Sequence, residues 1–208
     1  MDFITHALMG AGVARLLSPR REWIPQLSLA AVLGSQLQDA DPWLYLIHPS
    51  MYGKYHRVAT HNLWALALVG IVSATIAWAI NRVQPWRRFG WFVSDNLPRS
   101  SFPDPIRHAP LRWGLAVAIP SAYLHFLGDV ITGFGNILPF WPFSSYDASL
   151  HAVTSFDWVI FSSTLAWHVI LRQERFSQKG NWTITGLYGL LVTGYVVARL
   201  IWGSSTVW

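Results

Sequence analysis

The pentapeptide HFLGD at 125–129 sets an imidazole and a carboxylate four residues apart inside an apolar stretch running from 113 to 131. On a helix that spacing is just over one turn, so His125 and Asp129 project from one face and can converge on a single ion. Ionisable side chains at membrane depth are costly and are, by default, functional. The competing reading is an aspartate that accepts a hydrogen bond from its helix neighbour only to satisfy both groups.

Other residues of the same donor chemistry are scattered along the chain. Cysteine is absent, so a metal site is restricted to His, Asp, Glu and water, and there is no thiol nucleophile. His6 follows Thr5 in the first apolar stretch, Asp39 and Asp41 close the second ahead of Pro42, and His56, Arg57 and His61 precede the third. Read singly, each has a plain role. His6 suits a polar residue satisfied in helix packing, and the two aspartates suit turn positions. His56 and His61 are five apart, too wide to share a helical face, so one of them reaches in from the connector. Thr60 and Asn62 compete as cap of the third segment, with Thr60 favoured, and Asp157 reads first as a helix cap and only second as a ligand. Arg57 is an anion clamp or a solvated loop charge. His48, His108, His151 and His168 have no assigned role, and His151 is the first to reconsider.

The elements that must position these residues are apolar helices. The chain is 52% hydrophobic and 12% charged, with a mean hydropathy of +0.31, outside the ordinary soluble class. At 208 residues it suggests one membrane-embedded domain, 1–208. Thirteen Trp and seven Tyr suit a protein with two water interfaces to anchor. The reading is an all-α, polytopic helical bundle of six apolar segments. Two short ones come first, at 3–17 and 26–37, and four long ones follow at 62–80, 113–131, 157–171 and 182–202. The first begins Met-Asp-Phe and ends in arginines, the reverse of a secretory leader, so it reads as retained. The two halves share no repeat, which weakens a transporter built from duplicated halves.

Charge then orients the segments. The net charge of +5 hints at nucleic acid, but the basic residues lie in loops between apolar segments, where membrane topology explains them better and no nucleic-acid partner is expected. With the segments antiparallel, twelve of the fifteen basic residues fall on one side; only Lys54, Arg57 and Arg199 lie opposite. The positive-inside rule makes the basic side cytoplasmic and puts both termini on the extracytoplasmic side of an inner membrane. His6, Asp39, Asp41, His56, His61, His125, Asp129 and Asp157 all land on that outer side. Independent caps and core polars would have divided between the two sides.

The order Thr5-His6, Asp39-x-Asp41, His56-Arg57-x-x-Thr60-His61 and His125-x-x-x-Asp129, with Gly133 and Pro139-Phe140 downstream, resembles the bacterial inner-membrane YdjM-like family over roughly residues 1–160. Its ligand pattern is similar to that of zinc-dependent phospholipase C and the fungal zinc nucleases. The resemblance implies metal-dependent hydrolysis and a zinc-type site from Asp39, His61, His125 and Asp129, with one ion or two, His6 sharing Asp129 at the second.

Histidine and carboxylate ligands without sulfur suit Zn²⁺, with Mn²⁺ or Fe²⁺ as alternatives. A bound Zn²⁺ lowers the pKa of a coordinated water from 15.7 towards about 7, so no serine or cysteine nucleophile is required. Asp41 is the candidate general base or orienting carboxylate, and His56 or Arg57 the candidate hold on a substrate anion. The expected substrate is a phosphoester or lipid-linked molecule at the membrane interface, the lipid bilayer being the other partner. The alternatives are a transporter or channel passing a proton or divalent cation through the same residues, and a non-catalytic membrane protein with a structural metal.

Overall fold

The structure is a computed structural model, and it describes residues 2–40, 58–82, 108–132, 137–154, 156–173 and 178–202. Those residues contain six α-helices and two short 3₁₀ turns joined by turns and irregular connectors, with no strand among them. The helices are α1 (Phe3–Leu17), α2 (Ile24–Gln36), α3 (Leu63–Arg82), α4 (Leu111–Thr132), α5 (Trp158–Arg172) and α6 (Gln178–Trp202).

Their ends follow from local chemistry. Asp2 starts α1 by accepting the Thr5 backbone N–H at 2.8 Å and its hydroxyl at 2.5 Å. Pro25 sits in the first turn of α2, where its missing N–H costs nothing. The 3₁₀ turn Leu37–Ala40 extends α2, and there Asp39 leaves helical geometry at φ −90°, ψ 19°. At the start of α3 the expected cap gives way to its neighbour. Asn62, not Thr60, accepts the Ala65 N–H, at 2.9 Å, because the Thr60 hydroxyl is already turned to His61.

Among the described residues, three helices are long and apolar enough to cross a membrane, namely α3, α4 and α6. The fifth segment forms a helix of the expected length but does not belong with the long ones: α5 has 15 residues, about 22 Å at 1.5 Å each, below a hydrocarbon core of roughly 30 Å. It joins α1 and α2 as a shorter helix. Because α1 and α2 are packed against α4 rather than left in lipid, their length is no obstacle.

α4 is the hub, with α1, α2 and α3 all packed on it. In a bilayer no water is expelled between helices, so close van der Waals contact between small residues does the holding. Ala14, Ala31, Ala74, Ala118 and Ala122 are fully buried in these seams. Gly34 of α2 lies so close to α4 that a Cβ there would collide with the Ala118 carbonyl oxygen, and a Cβ on Gly70 of α3 would stand 2.7 Å from the Ile119 Cα. The pair α5–α6 docks separately, through α1. Trp167 lies against Gly12 on one side and stacks on Tyr188 of α6 on the other, centroids 4.9 Å apart. Its indole N–H donates to Thr185 Oγ1 at 3.0 Å. The rest of α6 is largely exposed, as a lipid-facing helix would be.

The helix directions alternate. The start of α1, the end of α2, the start of α3 and the end of α4 meet at one end of the bundle, as the contacts of His6, Asp39, His61 and Asp129 require. Arg15, Arg82 and Arg172 close the opposite ends of their helices. Arg82 lays its guanidinium 4.1 Å over the Trp78 ring, an arrangement suited to a polar head reaching out of an apolar span.

The Gly34 contact is testable. Gly34→Leu is expected to lower the thermal unfolding midpoint in detergent, with an overpacking cost of about 1–3 kcal/mol. Gly186→Leu on α6, where an added Cβ meets nothing within 4 Å, is expected to leave the midpoint unchanged.

Candidate metal centre

The members of the cluster are delivered by the ends of three helices, α2, α3 and α4, with two of them from α4. His125 and Asp129 stand one turn apart near the end of α4, inside the buried seam. His61 comes from the turn before α3, held by its own neighbours: Thr60 Oγ1 lies 3.0 Å from His61 Nδ1, and Tyr123 of α4 donates its hydroxyl to the Leu63 carbonyl at 2.9 Å. Asp39 comes from the 3₁₀ turn after α2. The adjacent Gln38, fully buried, ties that turn to α4 by donating its amide to the Gly34 carbonyl at 3.1 Å and the Ala122 carbonyl at 3.0 Å.

The four side chains converge on one point. One ligand atom from each of Asp39, His61, His125 and Asp129 lies within 4.8 Å of all the others. The two imidazoles face each other through Nε2 at 3.1 Å. Asp129 Oδ2 stands 3.1 Å from His61 Nε2 and 3.4 Å from His125 Nε2, while Asp39 turns Oδ1 to His61 Nε2 at 3.5 Å and Oδ2 to His125 Nε2 at 3.6 Å. Charge-assisted hydrogen bonds are shorter, about 2.7–2.9 Å. Atoms arranged tetrahedrally around a centre at about 2.0–2.1 Å are separated by roughly 3.3 Å, and the three separations among His61 Nε2, His125 Nε2 and Asp129 Oδ2 lie close to that edge length. The donor set, two nitrogens and two carboxylates, fits a divalent cation such as zinc in type, with three of its atoms already at the spacing of one tetrahedral face.

His6 stands on the far side of Asp129. Its Nε2 is 3.3 Å from Asp129 Oδ1, the oxygen turned away from the other imidazoles, and its ring stacks on His125 with centroids 3.8 Å apart. The His6 ligand atom is thus outside the four-residue convergence and beside the carboxylate that both could share. Nδ1 of His6 and of His125 are buried with no hydrogen-bond partner among the described residues. His6, His61, His125 and Asp129 are all buried; Asp39, a quarter exposed, is the member that reaches the surface. Burial alone would raise the Asp39 carboxyl, but hydrogen bonds and charge from His125 and His61 outweigh it and hold it well below the usual carboxylate range.

The structure brings together His6, Asp39, His61, His125 and Asp129, five residues taken from four separate stretches of sequence. Asp41, His56 and Arg57 lie outside the described residues. Asp157 is apart from the cluster and fully used elsewhere: its Oδ1 accepts the backbone N–H groups of Val159 and Ile160 at 3.0 and 3.1 Å, and its Oδ2 accepts the Tyr195 hydroxyl at 2.8 Å. His151 is exposed on the 137–154 connector, and His168 sits on α5 one turn before Arg172, on the basic half. Gln38 and Thr60 are the supporting residues that spacing does not single out. The signal for Gln38 is a wide polar side chain next to Asp39 at the close of an apolar segment.

A family model described as YdjM inner membrane protein matches residues 1–204. No curated protein and no solved structure matches the chain.

Asp157 separates a cap from a ligand by experiment. Asp157→Ala is expected to cost about 1 kcal/mol of stability, the usual loss of a helix cap, seen as a lower midpoint in thermal melts. Its divalent-metal content is expected to equal that of the wild type.

Proposed function

The chain belongs to the YdjM inner membrane protein family, and from that premise we propose that it is a multi-pass, membrane-bound, metal-dependent hydrolase acting on a phosphoester or lipid-linked substrate. The observation that carries this reading is the convergence of one ligand atom each from Asp39, His61, His125 and Asp129 within 4.8 Å of one another, with His61 Nε2, His125 Nε2 and Asp129 Oδ2 spaced 3.1–3.4 Å apart, near the edge of a tetrahedral site. Zn²⁺ fits this donor set best, and Mn²⁺ or Fe²⁺ share its ligand preferences. When bound, such an ion supplies a water acidic enough to furnish hydroxide near neutral pH.

The chain's own residues do the rest. His61 and His125 present Nε2 to the centre, with Thr60 at the far nitrogen of His61 fixing the ring. His6 engages the outer oxygen of Asp129 and so leaves Oδ2 directed at the two nitrogens. Helix packing around α4 keeps three of the four ligands from water, and Asp39 marks the open side from which a substrate approaches. Asp41, two residues beyond Asp39, is the proposed general base or orienting carboxylate, and His56 and Arg57 the proposed grip on the substrate's anionic oxygens. The distribution of basic residues supports a site on the extracytoplasmic side.

Metal analysis of detergent-purified protein tests the site. About one transition-metal ion per chain is expected in the wild type and almost none in Asp129→Asn, with helix content by circular dichroism equal in the two. Negligible metal in both, after growth with added zinc, rejects the proposal. The activity is tested on bis(p-nitrophenyl) phosphate, whose turnover should vanish with a chelator and return with Zn²⁺. Zinc or proton flux into liposomes without turnover would replace the enzyme by a transporter.

His6 has its own signature. His6→Leu is expected to weaken zinc binding by about 10–100-fold, the range for a lost partner of a ligating group. His6→Gln, which keeps an N–H near the position of Nε2, should recover most of it. A stoichiometry of two ions per chain, falling to one in both variants, would make His6 a ligand of a second ion instead.

A further inference from the structure

The end of the bundle that carries the cluster also carries an exposed aromatic loop that the site does not use. The connector after α4 is fixed to the helix ends by backbone bonds: Leu63 N–H to the Pro139 carbonyl at 3.0 Å, Ala148 N–H to that of Ile137 at 2.9 Å, and Leu150 N–H to that of Val130 at 2.8 Å. Ile137 is fully buried in a cluster with Leu66, Ala122 and Phe126. A loop pinned at both sides presents a defined face, and its tip turns back tightly, with Phe143 N–H on the Phe140 carbonyl at 2.8 Å.

That face is apolar where a soluble loop would be polar. Phe143 is 82% exposed, Tyr146 62% and Phe140 46%. The return of the loop at 147–149 is polar, with Ser149 donating both its backbone N–H and its hydroxyl to Asp147. The aromatic tip is continuous with the exposed apolar stripe of α3, a helix long and apolar enough to cross a membrane. Phe143 meets Trp64 edge-on at 6.5 Å, and Trp64 opens the exposed stripe of α3 that runs on through Leu68 and Ile71. Trp64 stands in the first turn of α3, directly after the turn that carries His61, so tip and cluster lie at the same end of the bundle. Amphipathic aromatics at a helix end collect at the headgroup level of a bilayer.

We propose that the 140–146 tip is a wedge seated at the boundary between headgroups and acyl chains, and that it holds the cluster level with the phosphoester headgroup of a bilayer lipid, which enters sideways as substrate. The wedge stands on the loop geometry alone; the lipid substrate rests on the hydrolase reading. The neighbouring polar return, Asp147 to Ser149, then faces water, so the loop is split by the interface.

The absence of cysteine makes the depth directly measurable. Phe143→Cys and Asp147→Cys are labelled with an environment-sensitive fluorophore and reconstituted into phosphatidylethanolamine–phosphatidylglycerol vesicles. The label at 143 should be quenched by lipids spin-labelled near the headgroup and shielded from aqueous iodide, and the label at 147 should behave oppositely. Equal iodide quenching at both positions overturns the wedge. Shielding of 143 from both quenchers also overturns it, since protein then covers the tip. For the substrate, Phe143→Ser should cut turnover of phosphatidylglycerol in vesicles at least tenfold and leave turnover of bis(p-nitrophenyl) phosphate unchanged. Equal loss on both, or no loss on the lipid, overturns the lipid assignment. A wild type inactive on both substrates rejects that assignment together with the hydrolase reading, while the quenching result still judges the wedge.

Discussion

Asp129 is a carboxylate with no exposure, placed in the last turn but one of a helix long enough to span a membrane. An ion so placed carries a desolvation penalty of several kcal/mol and persists only when surrounding groups compensate it. Three imidazoles, those of His6, His61 and His125, do so, each drawn from a different part of the chain. The bundle's architecture follows from this requirement, because the start of α1, the approach to α3 and the end of α4 must come within one side-chain length of each other.

Small residues make that approach geometrically available. Imidazole side chains reach only a few ångströms from their backbones, so the helices that carry them must nearly touch. Gly34 against the Ala118 backbone and Gly70 against Ile119 bring α2 and α3 onto α4 at backbone contact, and Gly10 brings α1 onto α2 at Ala31 in the same manner. The bundle thus separates two tasks. Small side chains line the seams of α1 to α4 and set distances, while large ones, on α6 and the outer side of α3, face outward and set the position in the bilayer. Trp167, lying between Gly12 and Tyr188, joins the α5–α6 pair to the site-bearing helices without entering the site.

Much of this was legible from residue types and spacing. HxxxD at 125–129 puts a nitrogen and an oxygen on one helical face whatever the tertiary structure, and the positions of the apolar stretches and arginines assign His6, Asp39 and His61 to the same end of the bundle. The helices extend within a few residues of the apolar segments, and Asp157 caps α5 as its type and place suggest. Where the reading departed from the structure, competition between neighbours was the reason. Thr60 is favoured over Asn62 from the sequence, but the cap is Asn62 because Thr60 is engaged by His61, whose position is set by α4. The fifth segment keeps its expected length, bounded by its cap and its closing Arg172, and that length groups it with the short helices rather than the long ones.

Residue types and their order along the chain dictate the inventory and its level: six apolar helices, a thiol-free donor set, and the candidate histidines and aspartates collected at one end. These depend on hydrophobic periodicity and charge, which act over short distances along the chain. Which atoms face which is set by the packing of the helices. That His61 and His125 oppose each other at 3.1 Å, that Asp129 divides its oxygens between His6 and the other two imidazoles, and that Gln38 anchors the Asp39 turn to Ala122 are consequences of helix separation and rotation. Separation and rotation come from the fit of glycine and alanine surfaces between residues tens of positions apart, and one-dimensional spacing carries no measure of that fit.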